Sequence, residues 1–358
     1  MAIGLFGLFL VCLSIQVAVW LRIYRRPADI TDVPLSNPKI SVIIAAKNEA
    51  HQIKECIERV LDQDYPDFEL IVVDDHSTDE TLDVLHQMSA VDPRISVLSH
   101  DGKPGKKKAL AKAIEAATGI WIATIDADCV PISKYWLISM IRSHQHADTI
   151  VGYGPYAAER GLLNKLIRYE AWLICRQYMG MLRLNKTYMG VGRNLLYKKE
   201  AYHRVGGYAT HEHLLSGDDD LLIRDMVQEG MTVYAQYAPE SWTVSVPKHS
   251  WAEYYQQKSR HVSTAISYER SVQWILAMIS FSLIGLYVAL GCNMLTAFGA
   301  SCLGMLWLRS LIMWHLSRDM LREHLHRDVW AWIPLLDFIL AVFYISLSFT
   351  LFIKPKEW

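Results

Sequence analysis

Four long apolar stretches, one at the start of the chain and three towards its end, confine the polar chemistry to the middle. Residues 3–21 are interrupted only by Ser14 and Gln16, and about 20 such residues cross a bilayer as a helix. A secretory leader would carry its positive charge ahead of the apolar run and a small-residue cleavage site behind it. Here Arg22, Arg25 and Arg26 follow the run, so the expectation is a retained anchor, with the next residues on the cytoplasmic side of the cell (inner) membrane. The later stretches are 274–292, 294–316 and 329–353. Asn293 alone separates the first two, which predicts a tight hairpin, and Arg318, Arg322 and Arg327 place the following loop in the cytoplasm. Lys354 and Lys356 oppose the extracytoplasmic end that this order implies. Arg309 and Asp337 lie inside apolar stretches, where an ion must be paired or functional, and they are expected to pair with each other. The organisation read from this pattern is a membrane helix at 1–24, a linker at 25–38, a cytoplasmic domain at 39–270 and about three membrane helices in 271–358.

A net charge of −1 gives no basic field for nucleic acid. The six cysteines show no C-x-x-C spacing and read as free thiols in a reducing compartment, without a disulfide framework or a zinc site.

Within the middle, strand and helix patterns alternate. Residues 39–46 read as a strand closed by Lys47-Asn48-Glu49, with a helix to about Leu61. Residues 68–73 read as a second strand, ending in Asp74-Asp75-His76-Ser77-Thr78-Asp79-Glu80. Ser77 or Thr78 can cap the helix that follows, with Asp79 and Glu80 at its positive dipole end. Capping does not account for Asp74 and Asp75, which precede it. A short strand at 95–98 leads through Asp101-Gly102-Lys103-Pro104-Gly105-Lys106-Lys107-Lys108 into a helix. Trp121-Ile122-Ala123-Thr124-Ile125 is a buried strand that finishes in Asp126-Ala127-Asp128. Four such alternations predict an α/β fold, a parallel sheet with helices on both faces.

Ligands of these sheets bind beyond the carboxyl ends of the strands, and all of these polar motifs stand there. An isolated D-x-D is most often a solvated junction, and a lysine run is often a solvated helix start. Together they make a site: Asp74 and Asp75 can accept hydrogen bonds from a base or ribose, Lys106 and Lys107 can meet a diphosphate, and Asp126 and Asp128 can hold a divalent ion. No G-x-x-x-x-G-K-[ST] or G-x-G-x-x-G is present, which argues against ATPase and dinucleotide chemistry.

The ordered set Ser41-Val42-Ile43-Ile44-Ala45-Ala46-Lys47-Asn48-Glu49, Val72-Val73-Asp74-Asp75-His76-Ser77-Thr78-Asp79, Lys106-Lys107-Lys108-Ala109-Leu110 and Asp126-Ala127-Asp128 resembles the membrane-bound family 2 glycosyltransferases of GT-A fold, over roughly 39–261. The resemblance implies a Rossmann-like mixed sheet and inverting transfer of a sugar from a nucleotide-diphosphate donor, such as a UDP-sugar, with Mg2+ or Mn2+. It implies nucleoside contacts from Asp75 and the Ala45–Glu49 turn, including Lys47 and Asn48, with Asp128 as principal metal ligand and Asp126 between ribose and metal. The segment Tyr188-Met189-Gly190-Val191-Gly192-Arg193-Asn194 resembles the one lining the donor-sugar and acceptor pocket, although a plain turn explains its glycines as well.

Downstream, Asp218-Asp219-Asp220 opens a helix, where one acid would suffice as cap, and crowding of three raises a carboxylate pKa as a general base requires. The family's acidic pair maps its base onto Asp219, with Asp218 the alternative one register away and Asp220 left to cap or orient. Gln257-Lys258-Ser259-Arg260-His261 keeps the Gln and Arg of the family's Q-x-x-R-W run, and Gln257 and Arg260 are expected near the diphosphate. His261 stands where the Trp that shapes a polymer terminus would be, which counts against processive synthesis. His249 is a further candidate metal ligand, though a lone His is more often structural. Residues 161–184 read as an amphipathic helix, either packed on protein or lying among lipid phosphates. The expected acceptor is a lipid or lipid-linked hydroxyl at the membrane. The rivals are a short-chain polysaccharide synthase, a nucleotidyltransferase and an inactive sugar-nucleotide-binding protein.

Overall fold

In the computed structural model, residues 1–25, 37–100, 102–142, 146–214, 216–262 and 264–348 are described. Most of the expected linker, 26–36, lies outside them, as do Asp101, Lys354 and Lys356.

Among the described residues nine short strands occur: β1 Ile40–Ala46, β2 Phe68–Asp74, β3 Ile95–Ser99, β4 Trp121–Thr124, β5 Cys129–Pro131, β6 Thr149–Val151, β7 Leu195–Lys198, β8 Val233–Ala235 and β9 Thr243–Ser245. Seven of them make one sheet in the order β3-β2-β1-β4-β7-β6-β8, and β5 pairs with β9. The run β3-β2-β1-β4 is parallel throughout. Val42, Ile43, Ile44, Leu70 and Val72 are fully buried, as both faces of such a sheet are covered. Beyond β4 the sheet turns mixed, because β7 runs antiparallel to both β4 and β6. The result is a mixed sheet, parallel over β3-β2-β1-β4 and mixed beyond it.

The described residues form two compact units. One holds the sheet, within 37–155 and 187–246; the other gathers 1–25, 156–186 and 247–348. The stretch 39–270, expected as one domain, is therefore divided, with 156–186 and 247–270 grouped with the apolar helices.

In the helical unit, three helices are long and apolar enough to cross a membrane: Ala2–Arg22, Arg270–Asn293 and Trp330–Ser348. The hairpin partner Gly299–Leu316 is helical but carries Arg309 and His315, and it is not among the three. Phe9, Cys12, Leu286, Ala289 and Cys302 form an apolar cluster. Arg309 and Asp337 pair at 2.8 Å as expected. Gln16 Oε1 accepts from the Arg309 guanidinium at 3.0 Å, and Tyr169 and Tyr287 donate to Asp337 at 3.2 and 2.8 Å. Polar atoms buried among apolar helices have no water to turn to, so they satisfy one another.

The amphipathic segment is one helix, Leu162–Arg183. Its cations are not spread for lipid phosphates: Arg168 pairs with Asp328 at 2.7 Å, Lys165 also contacts Asp328, and Arg176 pairs with Asp319. Arg183 donates to the carbonyls of Ile23 and Arg25 just past the first apolar helix, where helix carbonyls lack partners. The packed-on-protein reading of this helix holds for those four side chains.

Candidate active site

The strand ends of the sheet unit build the site. After β1 the chain must reverse, and Asn48 takes the left-handed conformation (φ 58°) that Asn tolerates better than most residues. Its side chain is then spent on the neighbouring turn: Asn48 Oδ1 accepts from the Thr78 amide at 2.8 Å, while the Asn48 amide donates to Ser77 Oγ at 3.0 Å. The Glu49 amide donates to Thr81 Oγ1 at 2.8 Å. The cap expected from Ser77 or Thr78 falls on Glu80, whose side chain makes no cap bond; Asp79, just before it, accepts from the Thr81 amide at 3.1 Å through Oδ1 at the start of helix Thr81–Val91. Ser77 and Thr78 bind Asn48 because the two turns lie side by side.

Asp74 and Asp75 end β2 differently. Asp74 Oδ2 accepts from the Ser77 amide at 3.2 Å, while its Oδ1 is buried with no partner among the described residues. A buried acceptor left open costs stability unless a ligand or water meets it. Asp75 is instead occupied: the Gly105 amide donates to both of its oxygens at 2.9 Å, and His100 Nε2 lies 2.8 Å from Oδ1.

Lys106 and Lys107 open the helix Lys106–Ala116, where consecutive side chains diverge by about 100°. Lys106 Nζ lies 2.8 Å from Asp126 Oδ1 and 2.8 Å from Asp218 Oδ2, and so joins the end of β4 to the acidic run. Lys107 turns away and donates to the carbonyls of His211 and Leu214. Its ammonium is thus not presented to a diphosphate; it holds the loop leading into Asp218. Periodicity could have separated the two lysines, but nothing local marks the carbonyls that receive the second.

Asp126, Asp128 and Cys129 each offer a ligand-type atom within 4.8 Å of the others. Burial, then Asp128 and Asp126, holds the Cys129 thiol well above its usual pKa, so it stays protonated. The donors available to a cation are therefore carboxylate oxygens, which suit Mg2+ or Mn2+ better than a soft metal. The residues fit that ion.

The segment before β7 is packed tightly. A Cβ at Gly152 would stand 2.4 Å from the Asn194 amide, and one at Gly154 would stand 2.4 Å from Arg193 Nε. Asn194 is fully buried; it accepts from Trp136 Nε1 at 2.9 Å and donates to the carbonyls of Tyr153 and Ser241 at 2.7 Å. Expected at the donor, it spends both N–H donors and one acceptor position of Oδ1 on bracing the segment. Arg193 donates to the Gly154 carbonyl at 2.9 and 2.6 Å.

Asp219 is the N-cap of helix Asp220–Gln228, accepting from the Asp220 amide at 2.7 Å; its other oxygen accepts from the Gly192 amide, also at 2.7 Å. Asp220, read as the cap, lies one residue inside the helix and accepts from the Leu221 amide. Burial, reinforced by Asp218 and Asp220, pushes the Asp219 carboxyl up to about 7. Burial also pushes Asp218 upward, but Lys106 outweighs it and holds that carboxyl below its usual value. Ala45, Lys106, Asp126, Gly192 and Asp218 line one small cleft.

Three expected residues belong to the helical unit. Gln257 and Arg260 lie on helix Trp251–Val262, where Gln257 Nε2 donates to Tyr156 Oη at 3.3 Å. His249 is exposed and faces Glu159, 3.3 Å away.

Residues 41–206 match the family model for glycosyl transferase family 2. The probable glycosyltransferase YdaM of Bacillus subtilis is 27% identical over 235 residues, covering 62% of this chain and 54% of the relative. The glycosyltransferase AglE of Haloferax volcanii is 30% identical over 187 residues, covering 51% of this chain and 59% of the relative. The chain thus spans little more than half the length of these two curated relatives. Among solved structures, a mannosyltransferase of Pyrobaculum calidifontis, in complex with GDP-Man and Mn2+, superposes with a TM-score of 0.61 at 19% identity, over 95% of this chain and 97% of that one. Around the acids gathered at its strand ends, the chain carries a family 2 glycosyltransferase domain of GT-A fold.

Proposed function

We propose that the chain is an inverting glycosyltransferase that moves a sugar from a nucleotide-diphosphate donor to the hydroxyl of a membrane-associated, lipid or lipid-linked acceptor. The observation that carries this reading is the chain Asp126–Lys106–Asp218 with Asp219 next in sequence. One ammonium sits between the acid of the D-x-D and the acidic run, so donor-side and acceptor-side groups share one cleft.

In this reading Asp126 and Asp128 hold Mg2+ or Mn2+, which when bound supplies positive charge to the departing diphosphate. Lys106 adds a cation on the same side. The open Asp74 Oδ1 accepts from the ribose or base, and Asp75 with the Ala45–Glu49 turn shapes the nucleoside end. Asp219 acts as base. Pushed up to about 7 by burial and by Asp218 and Asp220 beside it, it has the driving force to take a proton. The acceptor oxygen attacks the anomeric carbon as Asp219 takes its proton. The bond from that carbon to the diphosphate oxygen breaks, and the nucleotide diphosphate leaves with the electron pair. One displacement inverts the centre and needs no covalent enzyme intermediate. Three candidate membrane spans and the arginines after the first support an acceptor at the bilayer and a cytoplasmic site.

The test is turnover in membranes with a panel of radiolabelled UDP- and GDP-sugars, with and without Mn2+, followed by extraction into lipid and polymer fractions. Label in the lipid fraction is expected. Label in neither fraction for any donor defeats the transferase reading, and label of high molecular mass replaces it with a synthase.

A further inference from the structure

Behind the acidic run the chain is tied back on itself by side chains that the transfer chemistry does not use. Asp225 lies on the helix that Asp219 caps. Its Oδ2 accepts from the Thr210 hydroxyl at 2.5 Å and lies 3.3 Å from His211 Nδ1, while its Oδ1 accepts from Arg224 Nε at 2.7 Å. The Thr210 hydroxyl spends its hydrogen on Asp225, so towards His211 its oxygen can only accept, and Nδ1, 2.8 Å away, carries the proton. His211 Nε2 is then a bare acceptor, buried and with no partner among the described residues. That costs stability, and an apolar side chain would avoid the cost, so what His211 gives the fold is its Nδ1 tie. Burial raises the Asp225 carboxyl, but hydrogen bonds from His211, Thr210 and Arg224 outweigh it and bring the group down to about 2.

From His211 the chain returns towards the site. The carbonyls of His211 and Leu214 both accept from Lys107 Nζ. This ammonium is buried within electrostatic reach of the acids: burial lowers its pKa, and Asp218, Asp220, Glu212 and Asp219 oppose that fall. Its neighbour Lys106 holds Asp218. The segment that runs from Thr210 into Asp219 is thus clamped against the helix at its start, to Lys107 along its length and to Lys106 at its end. From the position so fixed, Asp219 reaches the Gly192 amide.

We propose that His211, tied to Thr210 and Asp225, is a positioning residue: by fixing the loop that Lys107 grips, it sets where the carboxylates of Asp218 and Asp219 stand. This rests on the reading of Asp219 as base. Placement decides the rate because a shift of about 1 Å at reacting groups can cost about 10²-fold.

The experiment compares two pairs of variants of the full-length protein in detergent. His211→Leu removes both ring nitrogens, whereas His211→Asn keeps an N–H where Nδ1 stands; Thr210→Val removes the hydroxyl that Thr210→Ser keeps. One readout is kcat and donor KM per folded molecule. The other is deuterium exchange over 216–222, whose amides include those of Asp220 and Leu221 that bond the acidic run, with β1 as reference. In His211→Leu and Thr210→Val, kcat is expected to fall about tenfold or more at unchanged donor KM, with faster exchange over 216–222 and none in β1. His211→Asn and Thr210→Ser should return both readouts towards wild type. An unchanged kcat per folded molecule, a loss that falls on KM alone, or a loss that the Asn and Ser variants do not recover overturns the proposal. If the wild type transfers no sugar, the transferase reading fails and exchange still decides: faster exchange in the Leu and Val variants, recovered in Asn and Ser, upholds the clamp on the acidic run, and exchange equal to wild type overturns it.

Discussion

The chain holds ion pairs in both of its units, and they differ in how far they are shut off from solvent. In the helical unit, both oxygens of Asp337 are met from within, by Arg309, Tyr169 and Tyr287. In the sheet unit, Lys106 is 23% exposed and Asp126 31% exposed, and Asp74 Oδ1 has no partner among the described residues. The Arg309 network leaves Nε without a partner among the described residues but is shut off from solvent; the Lys106 network keeps its charges at a cleft that a ligand can reach. The first is therefore read as structure and the second as chemistry, and substitution separates them.

The largest effect is expected at Asp219. Asn is as good an N-cap as Asp, so Asp219→Asn keeps the helix start while removing the proton acceptor, although with its NH2 in place of one oxygen it cannot accept from both the Asp220 and the Gly192 amides as the two carboxylate oxygens do. Transfer should fall by about 10²–10⁴-fold, with nucleotide binding close to wild type and a loss of stability no larger than the about 1–3 kcal/mol of one unmet donor. Retained transfer would move the base to Asp218.

Next comes the closed network, where the loss appears in stability. Arg309→Ala leaves Asp337 buried without its cation, at a cost of about 3–5 kcal/mol, measured as denaturant unfolding in detergent. The pair substitution Arg309→Met with Asp337→Leu should recover most of that, since apolar residues of similar volume often replace a buried ion pair at no cost. A single substitution costing less than about 1 kcal/mol, the worth of an exposed pair, would show the network to be less closed than it looks.

A third expectation joins the two measurements through pH. The Asp219 carboxyl stands near 7 in the fold, above the 3.8 of an unperturbed Asp. Between those values the folded chain holds a proton that the unfolded chain has released, so stability contributed by this group falls as pH rises from about 4 to about 7 and is level above. Transfer requires the ionised base, so kcat/KM should climb about tenfold per pH unit below 7 and level off above it. In Asp219→Asn the stability slope assigned to this group should vanish.

How far these differences were legible in the sequence depended on distance along the chain. The alternation of apolar runs with helical patterns placed β1 to β4 and the acids at their ends, because strand period and strand-end polarity are local signals. The mutual pairing of Arg309 and Asp337 followed from their being the ions inside apolar stretches. What could not be read was direction and remote partnership. Lys106 and Lys107 are adjacent, yet one meets Asp126 and the other meets carbonyls at His211 and Leu214. Asn194 sits in a motif that resembles a ligand-lining turn, but Trp136, Tyr153 and Ser241 consume its amide. The cations of helix Leu162–Arg183 find Asp319 and Asp328 more than a hundred residues away, and no pattern within the helix announces that.

The smallest effect sharpens what holds the open site in register. Gly217 turns the chain into Asp218 with φ 103°, where a side chain is strained, and a Cβ there would stand 2.6 Å from Leu221 Cδ1. Gly217→Ala should therefore cost about 1–3 kcal/mol through backbone strain, with the Leu221 side chain forced aside. Leu221 is fully buried as the second residue of the helix that Asp219 caps, so the displacement acts on the acidic run itself. Transfer should drop more than the folded fraction does, whereas Gly230→Ala is the control: its φ is also positive, at 75°, but a Cβ there meets nothing within 4 Å. Equal loss of transfer in both variants, at equal loss of stability, would show that strain alone is felt and that the placement of Asp218 and Asp219 tolerates a shifted turn.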